Sequence, residues 1–168
     1  MAAMQKVTLV FGLLHLTSAY LQRPKITACP GRTSDVVTLR DVTLSNVRVG
    51  RTMILSYSME VKQNLTRRAK MAFTITSGSK KLPCLNSVGS CTYRMCGSTK
   101  KADMQIGKPW NNKCPINIGK YRNSLKVPIA FLAWLYITDN RMHFKIEERS
   151  FPKRLGCIEF DVNVEKTK

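Results

Sequence analysis

Met53-Ile54-Leu55-Ser56-Tyr57-Ser58-Met59-Glu60-Val61-Lys62 carries a large apolar side chain at every second position. Met53, Leu55, Tyr57, Met59 and Val61 share one face of an extended chain, and mostly polar groups take the other. Successive Cβ atoms of a strand point to opposite faces, so this spacing predicts a half-buried strand. The alternation returns at Met71, Phe73 and Ile75, at Met142, Phe144 and Ile146, and at Ile158, Phe160, Val162 and Val164 set against Glu159, Asp161, Asn163 and Glu165. Valine and threonine from Val36 to Leu44 suggest an earlier strand. No window of similar length has a helical stripe. Strands with one wet and one apolar face bury the apolar faces against each other, so the expected fold is all-β, an antiparallel two-sheet sandwich. Turns are expected at Ser77-Gly78-Ser79, Thr138-Asp139-Asn140 and Ser150-Phe151-Pro152.

The 168 residues suit one domain, and a hydrophobic content of 43% suffices for a core, which excludes a disordered basic tail. The formal charge is +18, from 28 Lys and Arg against 10 Asp and Glu. A charge of that size calls for anionic partners: acidic lipid surfaces, polyanionic glycans or nucleic acid. Lys6, the apolar run Val7 to Leu16 and then Thr17-Ser18-Ala19 have the layout of a secretory signal peptide. Residues 1–19 are therefore expected to be a leader cleaved after Ala19, and 20–168 the mature domain. Losing Lys6 and His15 leaves a net charge of +17 and one histidine, His143. No apolar run in the mature part reaches the 18 residues needed to span a bilayer.

All six cysteines, Cys29, Cys84, Cys91, Cys96, Cys114 and Cys157, lie in the mature part. An even set behind a secretory leader reads as disulfides. Zinc is disfavoured by the lack of a close C-x-x-C pair and by the single histidine. Six cysteines allow fifteen pairings, and spacing does not choose among them. Asn64-Leu65-Thr66 is a glycosylation acceptor, which calls for an exposed Asn64.

From Pro83 to about Lys120 the pattern changes. Four cysteines, several glycines, Pro109 and Pro115 read as an irregular region held by disulfides rather than by a core of its own. Val127 to Ile137 is apolar on both alternating faces and has two readings, a fully buried strand or an apolar loop at a cavity mouth. Trp134 and Tyr136 would suit a membrane interface in the second. The clusters Arg67-Arg68-Lys70, Lys80-Lys81, Lys100-Lys101 and Lys153-Arg154 favour a membrane or polyanion over nucleic acid, because no stacking aromatics are interleaved with them.

Catalytic chemistry is poorly supplied. His143 alternates with Met142 and Phe144, which puts it on the outer face of a strand. Glu159 and Asp161 share a solvent face rather than flanking a cleft, and Glu147 and Glu148 are adjacent. No phosphate-binding glycine loop or nucleophile elbow is present.

Leu82-Pro83-Cys84, Gly89-Ser90-Cys91-Thr92-Tyr93, Cys96, Cys114-Pro115 with Gly119 and Tyr121, Trp134, and Lys153-Arg154-Leu155-Gly156-Cys157-Ile158 together resemble the ganglioside GM2 activator branch of the ML lipid-recognition family. The resemblance runs in order from Cys29 to the C-terminus. It implies an immunoglobulin-like cup with an internal apolar cavity for acyl chains, in a protein that is secreted or resides in the lysosomal lumen. Such a protein is a non-catalytic activator. It lifts a glycosphingolipid or phospholipid from an anionic membrane surface and presents the headgroup to a soluble β-hexosaminidase. By matching positions, the disulfides would be Cys29 with Cys157, Cys84 with Cys91, and Cys96 with Cys114. Cavity walls would include Leu55, Tyr57, Met59, Phe73, Ile75, Phe144 and Phe160, and a membrane-contacting lip would hold Phe131, Leu132, Trp134, Leu135 and Tyr136. No catalytic residue, metal, cofactor or nucleic-acid partner is implied. The branch's further cysteine pair before Cys114 is missing here, and its loop there is longer. A second expectation is a secreted recognition protein for microbial lipids or sulfated glycans on the same scaffold.

Overall fold

The structure, a computed structural model, describes residues 20–31 and 34–165, apart from the side chains of Phe131 and Leu132. The expected leader, residues 1–19, lies outside the described residues. Among the described residues ten strands form: β1 (Leu21–Gln22), β2 (Thr27–Ala28), β3 (Val37–Ser45), β4 (Thr52–Val61), β5 (Lys70–Ser77), β6 (Lys80–Lys81), β7 (Thr92–Arg94), β8 (Gly119–Pro128), β9 (Arg141–Ser150) and β10 (Lys153–Asn163). One sheet has the order β1-β3-β4-β8. The other has β2-β10-β9-β5-β6, with β7 also paired to β5. All these pairings are antiparallel.

The period-two reading of β4 holds along its whole length: Met53, Leu55, Tyr57, Met59 and Val61 are all buried. Register places Leu55 between Leu44 on β3 and Leu125 on β8, so the apolar row continues across the sheet. The facing sheet contributes Met71, Phe73, Phe144, Ile146, Phe160 and Val162, with the Phe144 and Phe160 rings stacked 5.4 Å apart. In β3 the buried positions switch from Val37 and Leu39 to Val42 and Leu44, because the pairing with β4 slips between Arg40 and Thr43. Asp41 takes a left-handed conformation there (φ 52°), and this extra residue restores the inward row.

The sandwich is closed along one side. At that side Cys29, just after β2, is disulfide-bonded to Cys157 on β10 of the same sheet, and its N–H donates to the Cys157 carbonyl at 3.3 Å. Gln22 exchanges two hydrogen bonds with the backbone of Asn163, at 2.7 and 2.9 Å, linking one sheet to the other. Gly156 makes the closest approach: a Cβ there would stand 2.1 Å from the Val37 carbonyl oxygen and 2.8 Å from Glu148 Oε2. Only glycine lets β3 lie so near β10.

The region 83–120 corrects the sequence reading. It contains an α-helix, α1 (Lys101–Gly107), followed by a 3-10 turn at Lys108–Trp110. It buries Met95, Ile106, Trp110 and Ile116 in the same core as the sandwich strands. Trp110 packs edge-on against Tyr121 at 5.4 Å and donates its Nε1–H to the Met95 carbonyl at 2.7 Å. Seven residues are too few for an amphipathic stripe and for a helix stable by itself, so docking forms it. Asn123 on β8 does the docking, donating to the carbonyls of Gln105 and Ile106 at 3.1 Å each. The disulfides are Cys29–Cys157, Cys84–Cys91 and Cys96–Cys114, as the resemblance implied.

Candidate functional site

Opposite the closed side, β8 borders one sheet and β5 with β6 borders the other. The sheets part there around a cavity of about 640 Å³. Its apolar wall comes from Met53 and Leu55 on β4, Leu125 and Val127 on β8, Phe73 and Ile75 on β5, and Phe144 on β9, with Ile106 from α1. The mouth lies between the Cys84–Cys91 loop, which supplies Asn86 and Ser87, and α1 with its preceding residue, which supply Lys100, Lys101 and Gln105. Gly89 lets that loop fold inward. Its φ is +103°, and a Cβ would meet the Pro83 carbonyl oxygen at 2.0 Å. Tyr93 closes the same side, its hydroxyl donating to the Ser87 carbonyl at 2.8 Å, and burial with the Asp103 charge pushes its pKa up to about 12.

Of the expected wall residues, Leu55, Phe73, Ile75 and Phe144 line the cavity. Tyr57, Met59 and Phe160 are buried in the core outside that lining. Tyr57 begins a polar patch deeper between the sheets. Asn123 Nδ2 donates to its hydroxyl at 3.3 Å, and the hydroxyl in turn contacts Met71 Sδ at 3.8 Å. Burial raises the Tyr57 pKa well above that of an ordinary phenol, which keeps it neutral.

Glu147 and Glu148 show how one strand step decides the state of a carboxyl. Burial works against charge on Glu147, yet hydrogen bonds from Arg149 (2.7 Å) and Arg154 (2.8 Å) hold it below the ordinary carboxylate range. Glu148 faces inward beside Gly156, fully buried, and its Oε1 has no hydrogen-bond partner among the described residues. Burial, reinforced by the Glu147 charge, pushes it up to about 8. Burial therefore favours the protonated, neutral form of Glu148.

The apolar stretch after β8 is a loop rather than a strand. Ile129 and Ile137 are buried at its two ends and anchor a 3-10 turn, Phe131–Leu135. Ile129 exchanges backbone hydrogen bonds with the β3–β4 turn: its N–H donates to Arg51 and its carbonyl accepts from Gly50, both at 2.8 Å. Between the anchors Trp134 and Leu135 are each 50% exposed, while Tyr136 is half-buried against the core. None of these three lines the cavity, but the loop leaves directly from Val127 and Pro128, which do. Phe131 and Leu132 have side chains outside the described residues. The β5–β6 turn borders this loop, with Thr138 N–H donating to Ser77 Oγ at 3.1 Å, so Lys80 and Lys81 stand at the same end.

His143 is on the outer face, its Nδ1 3.0 Å from Asp161, far in sheet geometry from the inward row. All six cysteines are in disulfides, and no group of three or more His, Cys, Asp or Glu among the described residues is placed to hold a metal ion. No described helix is long and apolar enough to cross a membrane. Asn64 is exposed in the β4–β5 connection, its Oδ1 accepting from the Ile118 N–H at 3.1 Å.

Sequence reasoning missed the lining role of Lys100, Lys101, Lys126, Gln105 and Ile106. Met53, Leu125 and Val127 could have been found by their inward alternation. The α1 residues could not, because their place depends on docking against β8.

A model of the ML domain matches residues 24–164, nearly all of the described chain. The chain belongs to the ML domain family. ML domains bind lipid, in accord with the apolar slot between the sheets. The match reaches this family as a whole and does not single out its ganglioside-activating branch. No curated protein matches the sequence. A chitin binding domain from Burkholderia pseudomallei is similar in structure at 10% identity and a TM-score of 0.33, over 71% of this chain and 56% of that one. The ML chain thus spans little more than half the length of that protein, and the likeness carries no argument about binding.

Proposed function

We propose that this ML protein is a non-catalytic lipid carrier of the sphingolipid-activator kind. It takes a glycosphingolipid or phospholipid out of an anionic membrane and offers the headgroup to a soluble hydrolase such as a β-hexosaminidase. The observation that carries this reading is the open-sided apolar cavity adjoining an anchored loop that exposes Trp134 and Leu135. A buried anchor with an exposed aromatic tip suits transient insertion at a bilayer interface. The working compartment is an acidic lumen or the cell exterior. Three disulfides favour either, and the neutral interior Glu148 favours the former. A glycan on Asn64 would lie in the β4–β5 connection, away from the cavity lining.

The test is transfer of fluorescent glycolipid or phospholipid between vesicles. Trp134→Ala is expected to slow extraction about tenfold with an unchanged melting temperature, because the side chain is half exposed. Absence of transfer by the intact protein, and of any lipid in native mass spectra, would sink the reading. Charge gives an independent check, since each lysine near an acidic surface contributes about 1 kcal/mol. Lys80→Gln with Lys81→Gln is expected to weaken binding to anionic vesicles roughly thirtyfold, and added salt should shrink the difference. Equal binding of both proteins removes the electrostatic part.

A second reading, a recognition protein for microbial lipids or sulfated glycans, is favoured by one feature. Arg40, Lys120 and Arg122, together with Asp41 and Glu60, border a depression of about 480 Å³ on the outer face of the β3-β4-β8 sheet, leaving one positive charge in excess. Heparin affinity that persists in Trp134→Ala, together with no lipid transfer, would select this reading.

A further inference from the structure

The cavity specifies its cargo more narrowly than a lipid carrier in general, and the following rests on the carrier reading. Its volume is about 640 Å³. A space of that size takes a long acyl chain. Met53, Leu55, Phe73, Ile75 and Phe144 belong to the packed interior of both sheets, and on the opposite side the bare Gly156 backbone lets β3 lie close to β10.

The mouth has one sign of charge. Lys100, Lys101 and Lys126 line it, all exposed, and no Asp or Glu is in the lining. None of the three makes an ion pair among the described residues. They are also held to one lip. Lys101 and Gln105 are one helical turn apart on α1, and the Gln105 side chain accepts the backbone N–H of Lys126 at 3.2 Å. Asn86, Ser87 and Gln105 add neutral hydrogen-bonding groups around the same opening. Unpaired lysines at the end of an apolar slot lack a counter-charge that the cargo's headgroup can supply.

We propose that the cargo this cavity holds is an amphiphile with an acidic headgroup, acyl chain between the sheets and carboxylate or phosphate at the Lys100, Lys101 and Lys126 lip. A fatty acid and a lysophospholipid offer the same chemistry from different sources.

The experiment uses the full mature protein, delipidated, and native mass spectrometry with titration of five probes of matched chain length: palmitic acid, lysophosphatidic acid, hexadecanol, lysophosphatidylcholine and dipalmitoyl phosphatidic acid. Expected are 1:1 complexes with the three acids, at least tenfold tighter than with hexadecanol. Lysophosphatidylcholine, with no net charge, should fall between. The ratio of palmitic acid to lysophosphatidic acid affinity distinguishes a carboxylate from a phosphate site. In Lys100→Gln/Lys101→Gln/Lys126→Gln the ratio of acid to alcohol affinity should drop toward one. Equal affinity for the acids and hexadecanol, or an acid preference that survives the triple substitution, overturns the proposal while leaving the carrier reading intact. Failure of every probe to bind overturns both.

Discussion

Raising the pH from 5 to 8 is expected to destabilise the fold steeply, by roughly 1 kcal/mol for each pH unit, and Glu148→Gln is expected to flatten that slope. The carboxyl is held at about 8 in the folded protein, against an ordinary value of 4.5. Below pH 4.5 both the folded and unfolded chains keep the proton and no penalty exists. Between 4.5 and 8 the unfolded chain releases it while the folded chain retains it, so each rise in pH favours unfolding. Above 8 the penalty is complete. Among the described residues no salt bridge reaches Glu148. Arg149 and Arg154 are committed to Glu147, whose charge opposes ionisation of Glu148. Glu147 acts in the opposite sense and in another window. Its lowered pKa contributes stability that is present above pH 4.5 and lost as the pH falls below it. Urea denaturation of the wild type and Glu148→Gln between pH 5 and 8 measures the difference. Parallel slopes for the two proteins would refute the assignment.

Gly156→Ala is expected to cost about 3 kcal/mol and to lower the melting temperature by roughly 10 °C. The obstacle is backbone: the new methyl carbon would stand 2.1 Å from the Val37 carbonyl oxygen, and β3 would have to separate from β10. Glu148 Oε2, at 2.8 Å, belongs to a side chain that can move. The double variant Gly156→Ala/Glu148→Gln should therefore recover little of the loss. Thermal melts at pH 5, where Glu148 is neutral in any case, separate the two contributions. A melting temperature within 2 °C of wild type would mean that the seam between the sheets is not closed as described.

Period-two alternation carried most of the fold. Met53 to Val61 and Ile158 to Val164 leave one choice of inward face, and two such faces in water must meet. The bulge at Asp41 was not legible, because a single inserted residue looks like a local lapse in the pattern until pairing with β4 counts it. Helix α1 was invisible for the opposite reason, since its stability comes from Asn123 and the buried Ile106 rather than from its own seven residues. The candidate site divides along the same line. Leu55, Phe73, Ile75 and Phe144 follow from inward alternation, whereas Tyr57, Met59 and Phe160 share that alternation but lie in the core outside the lining. Alternation reports which face is buried and is silent on how far apart the sheets stand at each position.

The sequence by itself determined an all-β sandwich, a disulfide-bearing chain, strong positive charge and, through the segments around its cysteines, the ML family. These are local or compositional properties, carried by side-chain spacing and residue type. Tertiary structure alone decided where the sheets part, that Glu148 is neutral, and that three lysines from two distant segments share one lip. Each depends on approach between strands remote in sequence: β3 against β10 closes one side, and α1 against β8 shapes the mouth of the other. Such approaches are set by packing, which no single stretch of sequence encodes.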